Sequence, residues 1–125
     1  MERMEVKNMN KTATALLFKF IMTFVFAIIA LRFIDNNTWG WVFWVALAGT
    51  ALNYLVGDLF VLPKYGNIVA SVGDGVMAAL AAYIINLIVP AFQTTFTALA
   101  LFAVLVAVGE YFFHQYLQRS EKVEP

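Results

Sequence analysis

The sequence predicts an all-α integral membrane protein, a four-helix up-down-up-down bundle with its N- and C-termini cytoplasmic. Three observations carry that expectation. Hydrophobic residues make up 62% of the chain against 13% charged, with a mean hydropathy of +0.79, whereas a soluble domain carries about 25% charged residues. Four apolar stretches, about 13–34, 40–62, 68–89 and 95–117, are each long enough to cross a hydrocarbon core about 30 Å thick. The gaps between them are short, and short loops make consecutive helices antiparallel neighbours. A soluble bundle would need a polar stripe on every helix, yet LLFKFIMTFVFAIIALRFI and TALALFAVLVAVGEYFF are apolar almost all round.

Residues 1–12 form a basic N-terminal segment that precedes the first span. Basic residues before an apolar run also open a signal peptide, but the length of this run, Lys19 within it and the absence of a persuasive A-x-A site favour an uncleaved span. Asp35-Asn36-Asn37-Thr38 is a polar turn, and Trp39, Trp41 and Trp44 then begin the second span, where amphipathic rings favour the headgroup layer. Pro63 to Asn67 is a Pro/Gly/Asn turn between spans two and three. Pro90 interrupts the chain before Gln93-Thr94-Thr95, which can cap the fourth span, and residues 118–125 form a charged tail.

Orientation follows from Lys and Arg near the span ends, because cytoplasmic loops retain positive charge. With both termini inside, Arg3, Lys7, Lys11, Lys64, Arg119 and Lys122 share one side and only Arg32 opposes them. Tyr65, Tyr111 and Tyr116 then lie toward the inner interface. The expected location is a plasma membrane, crossed several times, with the lipid bilayer as principal partner.

Eight Lys or Arg balance eight Asp or Glu, so no basic excess points to nucleic acid. With no cysteine, disulfides, thiolate metal sites and thiol nucleophiles are excluded. One histidine and two serines give no hydrolase constellation. Ser71 and Asp74 share a face, but no base lies at matching spacing, and a hydroxyl bonded to its own helix backbone is the commoner state. No catalytic residue, enzyme activity, cofactor or metal is therefore assigned. GDG at Gly73 to Gly75 lacks the strand-to-helix context of a phosphate loop, and Gly57 and Gly73 read as close-packing positions.

The informative residues are ionisable groups inside the spans. With the predicted topology, Lys19, Asp58, Asp74 and Glu110 each lie on the order of 8 to 10 Å below the inner surface, one on each helix. Each costs about 2.5 to 3.5 kcal/mol near a span centre, so four unrelated accidents are improbable and the groups should face one another. Helical spacing places Ala100, Ala103, Ala107, Glu110 and His114 along one face of span four. Ala70, Asp74, Ala78, Ala81 and Ala82 form a small-residue stripe in span three, and Lys19 shares a face with Ala15, Met22, Thr23 and Phe26 in span one. In span two Gly49, Asn53 and Gly57 share a face, with Asp58 only at its margin.

Two chemical uses compete with a purely structural one. Three carboxylates and one ammonium cannot all stay charged without a further cation, so Asp58, Asp74 and Glu110 can share a proton or cation with Lys19 as counter-ion. Glu110 and His114, four residues apart, can also offer two ligands to a divalent metal with Asp58 or Asp74 as a third, although E-x-x-x-H alone is a weak signal. In the structural reading Lys19 pairs with Asp58 or Asp74, Asn53 and Asn67 complete hydrogen bonds, and the network fixes which helices touch. Lys19 can instead snorkel to the interface on its long stem.

The stretch from Leu16-Leu17-Phe18-Lys19-Phe20 through Gly57-Asp58-Leu59, then Leu62-Pro63-Lys64-Tyr65-Gly66-Asn67 and Asp74, resembles the YndM-type family of small four-span membrane proteins from Gram-positive, spore-forming bacteria. The resemblance covers the chain short of its charged ends and implies the membrane location and topology, but no activity and no catalytic residues. Small multidrug transporters are similar in size and span number, but they rely on a first-span glutamate where this chain has Lys19. The leading expectation is a structural or regulatory membrane module with a buried ionic cluster. The alternative is a proton- or cation-coupled small transporter or ion-binding protein acting as a homo-oligomer.

Overall fold

In hydrocarbon every backbone N–H and C=O must find its partner within the chain, and a helix achieves this within one segment. The structure, a computed structural model, describes residues 2–123, with the side chains of 12–116. Among the described residues every regular element is helical: α1 (Glu2–Ala27), continued by a π-helical turn (Ile28–Arg32), α2 (Trp39–Leu52), a π-helical stretch (Asn53–Val61), α3 (Leu62–Ile88) and α4 (Phe96–Val123). Three helical runs within them are long and apolar enough to cross a membrane: Thr12–Arg32, Trp39–Ile88 and Phe96–Tyr116. The side chains of Arg3, Lys7, Lys11, Arg119 and Lys122, on which the predicted orientation of the termini rests, lie outside the described residues, as do the side chains of residues 118–125.

The middle run, 50 residues long, is not one rod. Along a straight helix positions 57 and 74 would stand about 25 Å apart, yet a Cβ placed on Gly57 would overlap Asp74 Oδ1, and one on Gly49 would lie 4.0 Å from Ala78 Cβ. The chain therefore doubles back between them. Gly66 is where it does so, with φ 87° and ψ 177°, a conformation open essentially to glycine alone. The turn expected over Pro63 to Asn67 thus narrows to one residue. Pro63 itself sits in the first turn of α3, where its missing N–H costs nothing.

At the other end the two remaining loops clasp each other. Asn37 Nδ2 donates to Gln93 O at 2.7 Å and to Leu31 O at 3.0 Å, while Gln93 N donates back to Asn37 Oδ1 at 2.9 Å. Asp35 accepts from Thr95 N and Oγ1 at 2.9 and 2.8 Å, and Thr95 Oγ1 accepts from Ala98 N at 3.2 Å, which caps α4. These bonds satisfy backbone groups that two short loops would otherwise leave unpaired.

Between the clasp and Gly66, the core is built from Ala27, Ala30, Val42, Ala46, Ala78 and Phe102 among others. Small residues set the helix spacing: a Cβ on Gly75 would overlap the Ala103 carbonyl, and one on Gly109 would meet the Phe26 ring. The outside is apolar as well, with Phe96 86%, Ile88 71% and Ile68 70% exposed, a surface suited to lipid. Two packing expectations need correction. Ala100 faces outward and the buried line of α4 runs through Ala98, Phe102, Val106 and Glu110, because the larger side chains fill the space between helices. A Cβ placed on Gly73 would meet nothing within 4 Å, whereas one on Gly75 would overlap the neighbouring helix.

Gly66→Ala should destabilise the protein by about 1–3 kcal/mol, since alanine is strained at that φ. Gly73→Ala, which adds a methyl to open space on a helix, should melt at or above wild type. A Gly66→Ala melting temperature no lower than that of Gly73→Ala would contradict the reversal at residue 66.

Candidate functional site

Apolar helices that bury ionisable residues must bring them together, and four helical segments do so one to two turns from Gly66. α1 supplies Lys19, the π-helical stretch Asp58, α3 Asp74, and α4 Glu110 with His114 one turn on. The side chains of Lys19, Asp74, Glu110 and His114 are 0% exposed and that of Asp58 5%.

Asp58 arrives by a change of helical pitch. In an α-helix five residues advance about 500°, so Asp58 would point some 140° away from the buried Asn53. The π-helical pitch of Asn53–Val61 closes its hydrogen bonds over five residues, which returns Asp58 to the face of Asn53. That local widening, invisible to a 3.6-residue period, turns a marginal position into a central one.

Lys19 Nζ donates to Glu110 Oε2 at 2.7 Å and bifurcates to Asp58 Oδ2 and Oδ1 at 3.1 and 3.2 Å. Asp74 Oδ2 lies 4.0 Å from the same ammonium, whose other side is covered by the Phe113 ring, with Nζ 5.3 Å from its centroid. Lys19 therefore does not snorkel: its ammonium is held inward among the carboxylates, with its side chain 0% exposed. Gly57 leaves room for the Asp74 carboxylate, which a side chain there would displace.

His114, expected to be auxiliary, stands at the centre. Its Nε2 is 2.9 Å from Asp58 Oδ1, 3.2 Å from Asp74 Oδ2 and 3.3 Å from Glu110 Oε2. One ring nitrogen carries at most one hydrogen, so it can donate to Asp58 alone, and Asp74 keeps an ion-pair contact but no hydrogen bond. The other ring nitrogen is fixed by its partners. Asn67 Nδ2 donates to Tyr111 O at 2.9 Å, which sets the amide so that Oδ1 faces His114 Nδ1 at 2.9 Å. Ser71 Oγ also donates to that oxygen at 2.9 Å. An oxygen accepts only, so Nδ1 carries a proton.

That network corrects two expectations about Ser71 and one about Asn53. A base does reach Ser71, since His114 Nδ1 lies 3.2 Å away on a helix 43 positions along the chain, a pairing that spacing within α3 could not reveal. Ser71 bonds Asn67 and not its own backbone. With Nδ1 protonated, however, His114 does not take the Ser71 proton, so the two are no nucleophile–base couple. Asn67 completes its hydrogen bonds as expected, but Asn53 Nδ2 and Oδ1 have none although the residue is fully buried.

Asn53 is not alone. Among the described residues eight buried side-chain atoms lack a hydrogen-bond partner, and seven of them belong to Thr23, Thr50, Asn53, Asp74 and Glu110. Asp74 and Glu110 are in the cluster, whereas Thr23, Asn53 and Thr50 follow one to two turns toward the clasp. Buried polar atoms are normally paired. Their concentration around one cluster, with three carboxylates against one ammonium and one imidazole, marks a place where charge and hydrogen bonding are incomplete.

Lys19→Met should cost about 3–5 kcal/mol in reversible unfolding, because it strands buried carboxylates. Part of that loss should return in Lys19→Met/Glu110→Gln, and strict additivity of the two single changes would contradict their direct pairing.

No curated protein and no solved structure matches the chain. Its sequence does match, over residues 10–124, a family described as "Protein of unknown function", and that match takes in α1 from residue 10, the whole of α2, α3 and α4, and every residue of the cluster. The chain belongs to that family, DUF2512.

Proposed function

We propose that the protein is a multi-pass plasma-membrane protein with four spans and cytoplasmic termini, and that its ionic cluster binds a proton or a cation in the inner half of the bilayer. The observation that carries this reading is the incompleteness of the network. A cluster that served only to fix helix contacts would gain from full satisfaction, since a partly satisfied buried polar network is worse than an apolar core. Here Asp74 has both oxygens without a hydrogen bond and Glu110 has one, each at 0% exposure.

The charge balance supports the same reading. The three carboxylates of Asp58, Asp74 and Glu110 outnumber Lys19 and a doubly protonated His114 by one, and an uncompensated ion in a low dielectric is costly. A bound proton or cation reduces that excess, and the unpartnered polar atoms of Thr23, Asn53 and Thr50 extend polar surface from the cluster toward the far loops. Coupling of such a site to transport would use that extension as a route.

The test is thermal melting of the full chain in detergent across about pH 5 to 9, with a panel of mono- and divalent cations, for wild type and Asp74→Asn. A ligand that binds only the folded state stabilises it by about 2.7 kcal/mol at a hundredfold excess over Kd. The expected result is a melting temperature that rises as pH falls, where the ligand is a proton, or on addition of a cation, and that loses this response in Asp74→Asn. Melting indifferent to both would leave the structural reading, in which Lys19 alone holds the carboxylates.

A further inference from the structure

The ring of His114 narrows the class of ligand, and this step rests on the proposed cation site. From the arrangement of donors we infer that the cluster binds a divalent first-row transition ion of the Mn²⁺, Fe²⁺ or Zn²⁺ kind, through His114 Nε2 and one oxygen each of Asp58, Asp74 and Glu110.

Four observations lead there. The four ligand atoms lie within 4.8 Å of one another. Opposite ligands of an ion bound at about 2.0 to 2.2 Å stand no more than about 4.4 Å apart, so closure requires only small side-chain shifts.

The second observation is the tautomer. In this structure Nε2–H points at three carboxylate oxygens at 2.9, 3.2 and 3.3 Å. With Nδ1–H held by Asn67 Oδ1, an incoming ion that displaces the Nε2 proton meets the ring lone pair and those oxygens together. Metal-bound histidines are held in this way, with the distal N–H on a carbonyl or carboxylate that fixes ring orientation and raises ligand basicity. Asn67 is itself anchored by Tyr111 O and Ser71 Oγ, so the ring cannot easily rotate off the site.

Third, the carboxylates retain unused capacity. Both oxygens of Asp74 and Oε1 of Glu110 are fully buried without a hydrogen-bond partner, and both side chains reach the Nε2 position.

Fourth, charge selects a divalent ion. Such an ion, bound in place of the Nε2 proton so that His114 is a neutral ligand, cancels three carboxylates together with Lys19, whereas a monovalent ion in the same place leaves one negative charge buried. Lys19 thus remains as the third positive charge, bonded to Glu110 Oε2 at 2.7 Å. An imidazole nitrogen beside carboxylates suits Mn²⁺, Fe²⁺ or Zn²⁺, while Mg²⁺ and Ca²⁺ take oxygen ligands.

The experiment is calorimetric titration of the chelator-stripped full chain in detergent with Mn²⁺, Zn²⁺ and Mg²⁺, with Co²⁺ absorption as a spectroscopic reporter of nitrogen ligation. One Mn²⁺ or Zn²⁺ should bind per chain, Mg²⁺ should not compete at equal concentration, and His114→Gln should weaken binding at least tenfold and change the Co²⁺ spectrum. Asn67→Leu keeps every charged group and serves if His114→Gln does not fold; it should weaken binding about 10–100-fold. Absence of saturable Mn²⁺ and Zn²⁺ binding, or binding unaltered by both substitutions, overturns the inference. If melting still responds to pH or monovalent cations through Asp74, only the divalent assignment falls; if nothing shifts it, the proposed cation site falls too.

Discussion

A lysine ammonium enclosed by apolar helices is tolerable only where anions meet it, and the arrangement of this protein can be followed outward from that requirement. Lys19 on α1 is met by Glu110 from α4, Asp58 from the π-helical stretch and Asp74 from α3. Each of these contacts joins segments far apart in sequence. In a membrane, where apolar helices gain little from burying apolar faces against one another, packing and polar contacts determine which helices pair. The ammonium therefore does more to define the bundle than any aliphatic contact in it.

The backbone is bent to that purpose at two places. Gly66 reverses the long middle run so that Asp58 and Asp74, otherwise on the order of 24 Å apart along a helix, come to one side of the same ammonium. The π-helical stretch then rotates Asp58 inward. Such widened turns recur at functional sites, where their less regular hydrogen bonding is retained for the side-chain placement it permits. Asn53, at the start of that stretch, is buried without a hydrogen-bond partner.

How much of this was legible in the residues follows from the physics of each feature. Hydropathy and short loops signal apolar helices, because composition alone decides whether a segment suits lipid. That Lys19, Asp58, Asp74 and Glu110 meet at one level along the bundle was visible by counting residues from the turns, which is a one-dimensional measure. Rotation about a helix axis was less legible: a fixed 3.6-residue period misplaces Asp58 once the pitch changes, and it assigned Ala100 to the interior where Phe102 and Val106 pack. His114 was underestimated for another reason. Its position one turn from Glu110 was plain, but its second partner set, Asn67 and Ser71, comes from a different helix and depends on how α3 and α4 face each other.

The central claim is that Lys19 lies within the bundle, bonded to Glu110, and not at the lipid headgroups. Solid-state NMR of the full chain in lipid bilayers, with ¹⁵N at Lys19 Nζ and ¹³C at the Glu110 carboxyl, measures that contact directly. The structure predicts a strong dipolar coupling, as required by the 2.7 Å approach of Nζ to Oε2, and an ammonium shielded from water. No measurable coupling, with the ammonium in contact with water, would contradict the cluster and everything built upon it.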